Sequence, residues 1–293
     1  MKVAGFTFIK NAIKNDYSIV EAITSILPIC DEFIVAVGKS DDNTLQLIQN
    51  IQSPKIKIIE TNWNENLRVG GEVFALETNK AMQQISADVD WMFYIQGDEC
   101  VHEKYLNTIK MEMQLCLNNK NIEGLLFNYK HFYGSYDYFA HSRRWYRREI
   151  RVLKNLPDMH SYKDAQGFRK ANKKIKVKLI DAFIYHYGWV KPPTGLTNKV
   201  RNFNTFYSHD DLWIENKYPP QSSFDYGNAD QLVKFNDSHP QVFQDRVVAS
   251  NWTFDFDPTL LSKKMPLRRK FLAFFEQLTG VRLFEYKNYI KIN

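Results

Sequence analysis

The chain has 293 residues, with 39 Lys and Arg against 33 Asp and Glu and a formal net charge of +6. Its 44% hydrophobic and 25% charged content is that of a globular protein, and three scattered cysteines rule out a disulfide-stapled scaffold. No run approaches the ~18 consecutive apolar residues that a spanning helix needs. Aromatic content is high at 15%, which suggests grooves for rings, sugars or lipid-like groups. A pI near 9.0 favours phosphorylated substrates, nucleic acid or an anionic membrane surface without choosing among them.

In chain order, "KVAGFTFI" reads as a first strand and not as a signal peptide. "DYSIVEAITSILPIC" has apolar residues at helical spacing. "EFIVAVG" is a second strand, closed by the polar turn "KSDDNT", in which Asp42 can cap the helix "TLQLIQNIQ". "KIKIIET" is a third strand, "GGEVFALETNKAMQQI" a helix, and "WMFYIQ" a fourth strand. This alternation predicts a parallel, right-handed α/β sheet. The fourth strand runs into Gln96-Gly97-Asp98-Glu99, just where ligands bind in open α/β sheets. The carboxylates read either as metal ligands or as an acidic start to the helical "HEKYLNTIKMEMQLCL". Cys30, Cys100 and Cys116 lie in apolar or helical contexts, as buried free thiols do.

The second half differs. "GLLFNYKHFYGSYDYF" predicts strands or a hairpin, "HSRRWYRREIRVLKN" is strongly basic, and "IKVKLIDAFIYHYGWV" predicts a pair of strands. Alternation would put Arg143, Trp145 and Arg147 on one strand face, able to clamp phosphates, unless the run is a solvated basic loop. Residues 192 to 258 read as loops and short helices. "PLRRKFLAFFEQLTG" reads as a basic amphipathic helix.

Taken in this order, the segments resemble the family 2 glycosyltransferases, of the GT-A fold. The resemblance rests on Asn11 in "FTFIKNA", on Ser40, Asp42, Asn43 and Thr44 in "VGKSDDNTLQLI", on Asn79 in "ALETNKA", and on "QGDE" at the Asp-x-Asp position. It covers about the first 100 residues, with a weaker echo to about 190. Two positions depart from the family pattern. The acidic pair that usually contacts the base falls at Val37-Gly38, and the first Asp of Asp-x-Asp is Gln96.

The resemblance implies a GT-A domain over 1–190, divided into a nucleotide-binding half (1–125) and an acceptor half (126–190). Loops and helices of 191–293 would pack on it. It implies transfer of a sugar from a UDP- or GDP-linked donor to a glycan or lipid-linked acceptor, inverting and dependent on Mn or Mg, in surface polysaccharide synthesis. Asp98 and His186 would hold the metal, although a lone His is also often a core residue. Glu99 would face the sugar, support the metal site, or serve only as a helix-terminal charge. Asp164 would be the general base, with Glu149, Asp158 and His160 as rivals and a plain turn Asp as the alternative. Thr7, Asn11, Ser40, Asp42, Asn79, Gln96 and Arg147 would line the donor site. A nucleotidyltransferase is the competing enzyme class, but no glycine-rich loop follows strand one. A nucleic-acid binder ranks third, since no recognised motif for it appears. The expected location is cytoplasmic, with peripheral membrane contact through 263–293 as an option.

Overall fold

The computed structural model describes residues 1–208, 210–219, 223–226, 231–254 and 266–292. β1 (Val3–Ile9), β2 (Glu32–Gly38) and β4 (Trp91–Tyr94) are buried along almost their whole lengths. Strands covered on both faces read as continuous apolar runs for this reason. β3 (Ile56–Thr61) alternates and forms the outer edge. The order β3-β2-β1-β4 is parallel throughout.

The pleat sorts these strands into two cores. Val3, Phe33, Val35 and Phe93 face one side, where α1 (Ile19–Ile26), α2 (Thr44–Gln49) and α4 (Leu106–Cys116) contribute Ile23, Ile48 and Ile109. Ala4, Phe6, Ile34 and Tyr94 face the other, where α3 (Glu72–Met82) contributes Val73 and Ala81. The result is a three-layer α/β architecture, as the alternation of strands and helices predicts.

Beyond β4 the sheet changes direction. β8 (Arg148–Lys154) pairs antiparallel with β4, and β6 (Gly124–Tyr133) antiparallel with β8. β12 (Lys176–Trp189) runs parallel to β6 and also takes β5 (Glu99–Val101) as an antiparallel neighbour. This register sets His186 opposite Glu99 on one side and opposite His131 on the other. β6 and β7 (Tyr138–Ala140) form the expected hairpin, turning at Gly134 with φ 73°. β9 (Met159–Tyr162) and β10 (Gly167–Lys170) form a separate small sheet with β11 (Lys173–Lys174).

Two sequence expectations are corrected. The segment 175–190 is not a strand pair: it is one long strand with register shifts after Leu179 and His186. It contains no turn signal before Gly188, and the shifts absorb the mismatch with β6. The basic run is not a strand before Arg148, because 142–145 forms a turn in which Trp145 N donates to Ser142 O. The alternation of Arg143, Trp145 and Arg147 therefore does not exist. All three cysteines are buried and free. Among the described residues, no helix is long and apolar enough to cross a membrane.

Candidate functional site

A cleft of about 930 Å³ opens at the carboxyl edge of β1 and β4. Lys10 and Asn11 after β1, Trp63 after β3, and Gln96, Gly97 and Asp98 after β4 form its floor. His131 and His186 reach it from β6 and β12. The helix α5 (Pro193–Asn204) roofs it with Leu196, Lys199 and Phe203. Such an edge, where the strand order reverses, is the usual ligand position in open α/β sheets.

Asp98 sits at the centre. Its backbone O accepts from Tyr187 N at 2.8 Å, which fixes it against β12. Its Oδ2 lies 2.8 Å from Lys199 Nζ and 3.7 Å from His186 Nε2. Burial alone would raise the Asp98 pKa, but the Lys199 ammonium beside it overrides that and holds it well below the carboxylate range. Gly188 lies directly behind. A Cβ there would fall 2.5 Å from Asp98 Oδ2 and 2.8 Å from His186 Nε2 and Lys199 Nζ, so only glycine leaves room for the cluster.

The histidine tautomers follow from their partners. His131 Nε2 lies 2.8 Å from Tyr146 O, a group that can only accept, so Nε2 carries the proton. Burial keeps His131 neutral, leaving its Nδ1 as an acceptor. His186 Nδ1 stands 3.1 Å away and must donate to it. Burial lowers the His186 pKa as well, and Asp98 opposes this only in part. The neutral ring therefore turns the lone pair of Nε2 toward Asp98. A fixed tautomer of this kind is how metal-ligating histidines are held.

Asp98 and His186 thus offer two converging acceptors that could hold one divalent cation. No group of three or more His, Cys, Asp or Glu suited to a metal occurs among the described residues. The remaining oxygens would have to come from a ligand, as they do where a cation bridges phosphates. Lys199 Nζ supplies positive charge at the same carboxylate and is anchored by Gly188 O at 2.8 Å. Behind it Lys191 is buried, its ammonium bonded to Asp16 O and pulled down to about 7 by burial and Lys199.

The expected site residues divide. Asn11, Gln96, Asp98, Asp164 and His186 all line the cleft. Asp164 accepts from the Tyr207 hydroxyl at 3.1 Å and lies in a turn flanked by positive φ at Lys163 and Ala165. Of its rivals, Glu149 is buried, and Asp158 and His160 do not line the cleft.

Thr7 is fully buried within β1. Ser40 accepts from Asn11 N at 2.9 Å and donates to Gly38 O. Asp42, one residue before the N-cap Asn43, accepts from the first amide of α2, Thr44 N, at 3.0 Å and from Lys14 N at 2.8 Å, so it braces the first loop against α2. Asn79 accepts from Ser161 N at 2.7 Å and ties α3 to β9. None of these four lines the cleft. Asp41, beside them, does.

Glu99 is turned away from the cleft. It is fully buried, in a two-pronged pair with Arg151 at 2.7 Å for each bond, and also accepts from Tyr129 Oη and Gln96 N. Its carboxylate is saturated, so the alternatives of a sugar-facing or helix-terminal role give way to a buried strut beneath Asp98. Arg147 binds Glu285 at 2.8 and 2.9 Å and is also absent from the lining. From the same loop, Arg144, Trp145 and Tyr146 do line the cleft. Lys199 and Tyr207 escaped sequence reasoning, because nothing local marks a residue 101 positions from Asp98 as its partner.

No family model matches the sequence, and no curated protein matches it. Among solved structures, the chain is similar to S. aureus TarS 1-349 in complex with UDP. The identity is 11%, the match covers 73% of this chain and 69% of that one, and the TM-score is 0.38. It is also similar to glucosyl-3-phosphoglycerate synthase from Mycobacterium tuberculosis in complex with Mn2+, UDP and phosphoglyceric acid. There the identity is 21%, coverage is 45% and 43%, and the TM-score is 0.29. The chain spans less than half the length of this second structure.

Proposed function

We propose that the protein transfers a glycosyl group from a nucleoside-diphosphate sugar to a hydroxyl-bearing glycan or lipid-linked acceptor. One observation carries this reading. At the carboxyl edge of a parallel sheet, an ionised Asp98 and the aimed lone pair of His186 converge in a cleft large enough for a sugar nucleotide. Breaking a sugar–phosphate bond builds negative charge on the departing diphosphate. A divalent cation held by Asp98 and His186 would neutralise that charge as a Lewis acid. Lys199 brings a second cation to the same point, and Gln96 can hydrogen-bond ribose or phosphate.

Asp164 is the cleft-lining carboxylate we assign as general base, accepting the proton of the attacking hydroxyl, as an inverting transfer requires. Trp145 and Trp189, 5.7 Å apart and edge to face, also line the cleft and offer apolar surface for an acceptor sugar.

The reading is tested by thermal denaturation with UDP and GDP, each with Mn2+ or EDTA, followed by a screen of sugar nucleotides for hydrolysis. A diphosphate-induced rise in Tm that needs Mn2+ supports it. Equal shifts in EDTA would mean that no cation bridges the diphosphate. No shift with either nucleotide would remove the donor assignment.

A further inference from the structure

The helix α8 (Leu267–Thr279) is amphipathic: it half-buries Leu272, Phe275 and Glu276 and leaves a second apolar stripe exposed. Leu267, Phe271, Phe274 and Leu278 fall at i, i+4, i+7 and i+11, within a sector of about 60° at ~100° per residue. All four are exposed, at 84%, 65%, 64% and 74%. The opposite face holds the helix to the body. Glu276 binds Arg143 Nη1 at 2.6 Å and Arg282 Nε at 2.8 Å, with Arg147 Nη1 at 3.4 Å. In the segment that follows, Val281 and Phe284 are exposed as well. A monomer in water gains nothing by pairing a carboxylate inward and turning two phenylalanines outward.

We infer that this face is a docking surface for an anionic lipid bilayer, with α8 lying in the plane of the interface. The flanking charges identify the partner. Arg268 and Lys270 are exposed on either side of the apolar stripe, about 60° beyond Phe271 and about 40° beyond Phe274 respectively, where their stems can reach phosphates while the rings enter the headgroup layer. The sequence of α8 has no acidic residue besides the inward-facing Glu276. A second copy laid against this stripe would bring basic flanks to a face with no carboxylate to meet them. An anionic lipid surface supplies that charge everywhere.

The docked helix is wired to the cleft. Arg282 Nη1 donates to Trp145 O at 2.7 Å, and Arg143, bonded to Glu276, also donates to Leu283 O. The turn so braced carries Trp145 and Tyr146 into the cleft wall, and Tyr146 O is the group that fixes the His131 tautomer. A bilayer on the outer face of α8 would lie one helix diameter, about 10 Å, from the element that forms the proposed acceptor side of the cleft. The docking stands on the helix alone. Its consequence, an acceptor presented at a membrane surface, rests on the transfer reading above.

The test is sedimentation of the full chain with vesicles of phosphatidylcholine alone and of phosphatidylcholine with phosphatidylglycerol, at low and high salt. Binding is expected to the anionic vesicles, stronger than to neutral ones by on the order of ten-fold, and weakened by salt. Phe271→Ser with Phe274→Ser, and separately Arg268→Glu with Lys270→Glu, should each reduce that binding by a similar factor. Their melting temperatures and nucleotide-induced shifts should stay unchanged, since the altered side chains are exposed. Failure of the full chain to bind anionic vesicles at low salt overturns the inference. So does equal binding by the phenylalanine variant. Sedimentation velocity supplies a third measurement: a dimer that the phenylalanine variant dissociates, without vesicle binding, would give the face to a second copy. None of these results depends on transfer activity, so the donor reading stands or falls separately.

Discussion

Lys199 Nζ and Asp98 Oδ2 lie 2.8 Å apart across the cleft, joining the roof helix α5 to the end of β4. Both side chains are largely shielded, so the pair is held by its own charge and by the Gly188 carbonyl that also accepts from the ammonium. This contact places a fixed cation where a divalent one would bind, and the two compete for one carboxylate. Lys199→Met should therefore raise the affinity of the site for Mn2+ alone, by on the order of ten-fold, in calorimetric titration. Unchanged Mn2+ affinity would mean that Lys199 and the metal do not share Asp98.

Asp98→Asn removes the charge and keeps the shape. Its backbone bond to Tyr187 N survives, so the fold should persist by circular dichroism. Sugar-nucleotide turnover should fall by at least about 100-fold, the usual scale for losing an electrostatic group at a developing charge. The Mn2+-dependent part of the UDP or GDP melting shift should vanish with it. Retention of that shift would remove Asp98 from the metal site.

His131 acts through His186. His131→Phe deletes the acceptor of the His186 Nδ1 proton and frees the ring to turn or switch tautomer. Second-ligand partners of this type typically change metal affinity 10- to 100-fold, roughly. The expected outcome is a weaker Mn2+ titration with the nucleotide shift in EDTA unaltered. A variant that binds Mn2+ as the native chain does would show that the tautomer is fixed elsewhere.

Arg151 and Glu99 are both fully buried and satisfy each other. Arg151→Met strands the Glu99 carboxylate and should cost about 3–5 kcal/mol in denaturant unfolding. Pairing it with Glu99→Leu should recover part of that loss, because a buried ion pair is often replaceable by apolar groups of similar volume, while the Tyr129 hydroxyl and the Gln96 amide lose the acceptor that Glu99 supplied. A double variant no more stable than Arg151→Met would show that the stranded carboxylate is not the source of the loss.

Glu149 supplies a pH dependence. Burial, opposed by Arg151 and reinforced by Glu99 and Asp164, lifts its pKa from 4.5 to about 8, and its Oε2 has no hydrogen-bond partner. Between those values the folded chain keeps a proton that the unfolded chain releases. The stability this represents is complete below pH 4.5 and is lost as pH rises through 8. Glu149→Gln should flatten the fall between pH 5 and 8, by up to about 1.4 kcal/mol per pH unit. Parallel stability profiles of the two proteins over that range would refute the shift.

Local sequence determined the first half of this protein almost completely. The runs "VAGFTFI", "EFIVAVG" and "WMFY" have the apolar continuity of strands covered on both faces, and the helices between them show it at their own period. Asp98 and His186 were legible as cleft residues because the first follows an apolar strand and the second lies near the end of another, at the edge where such sheets bind ligands. What tertiary structure decided is which polar groups meet. Asp42, Asn79 and Glu99 sit in motif positions, yet their oxygens are taken up by backbone amides and by Arg151. Lys199, by contrast, comes from a helix with no motif and lands on Asp98. Periodicity reports the face a residue presents, because that depends only on its own element. Partnership depends on how distant elements pack, and a short-range pattern carries no record of that.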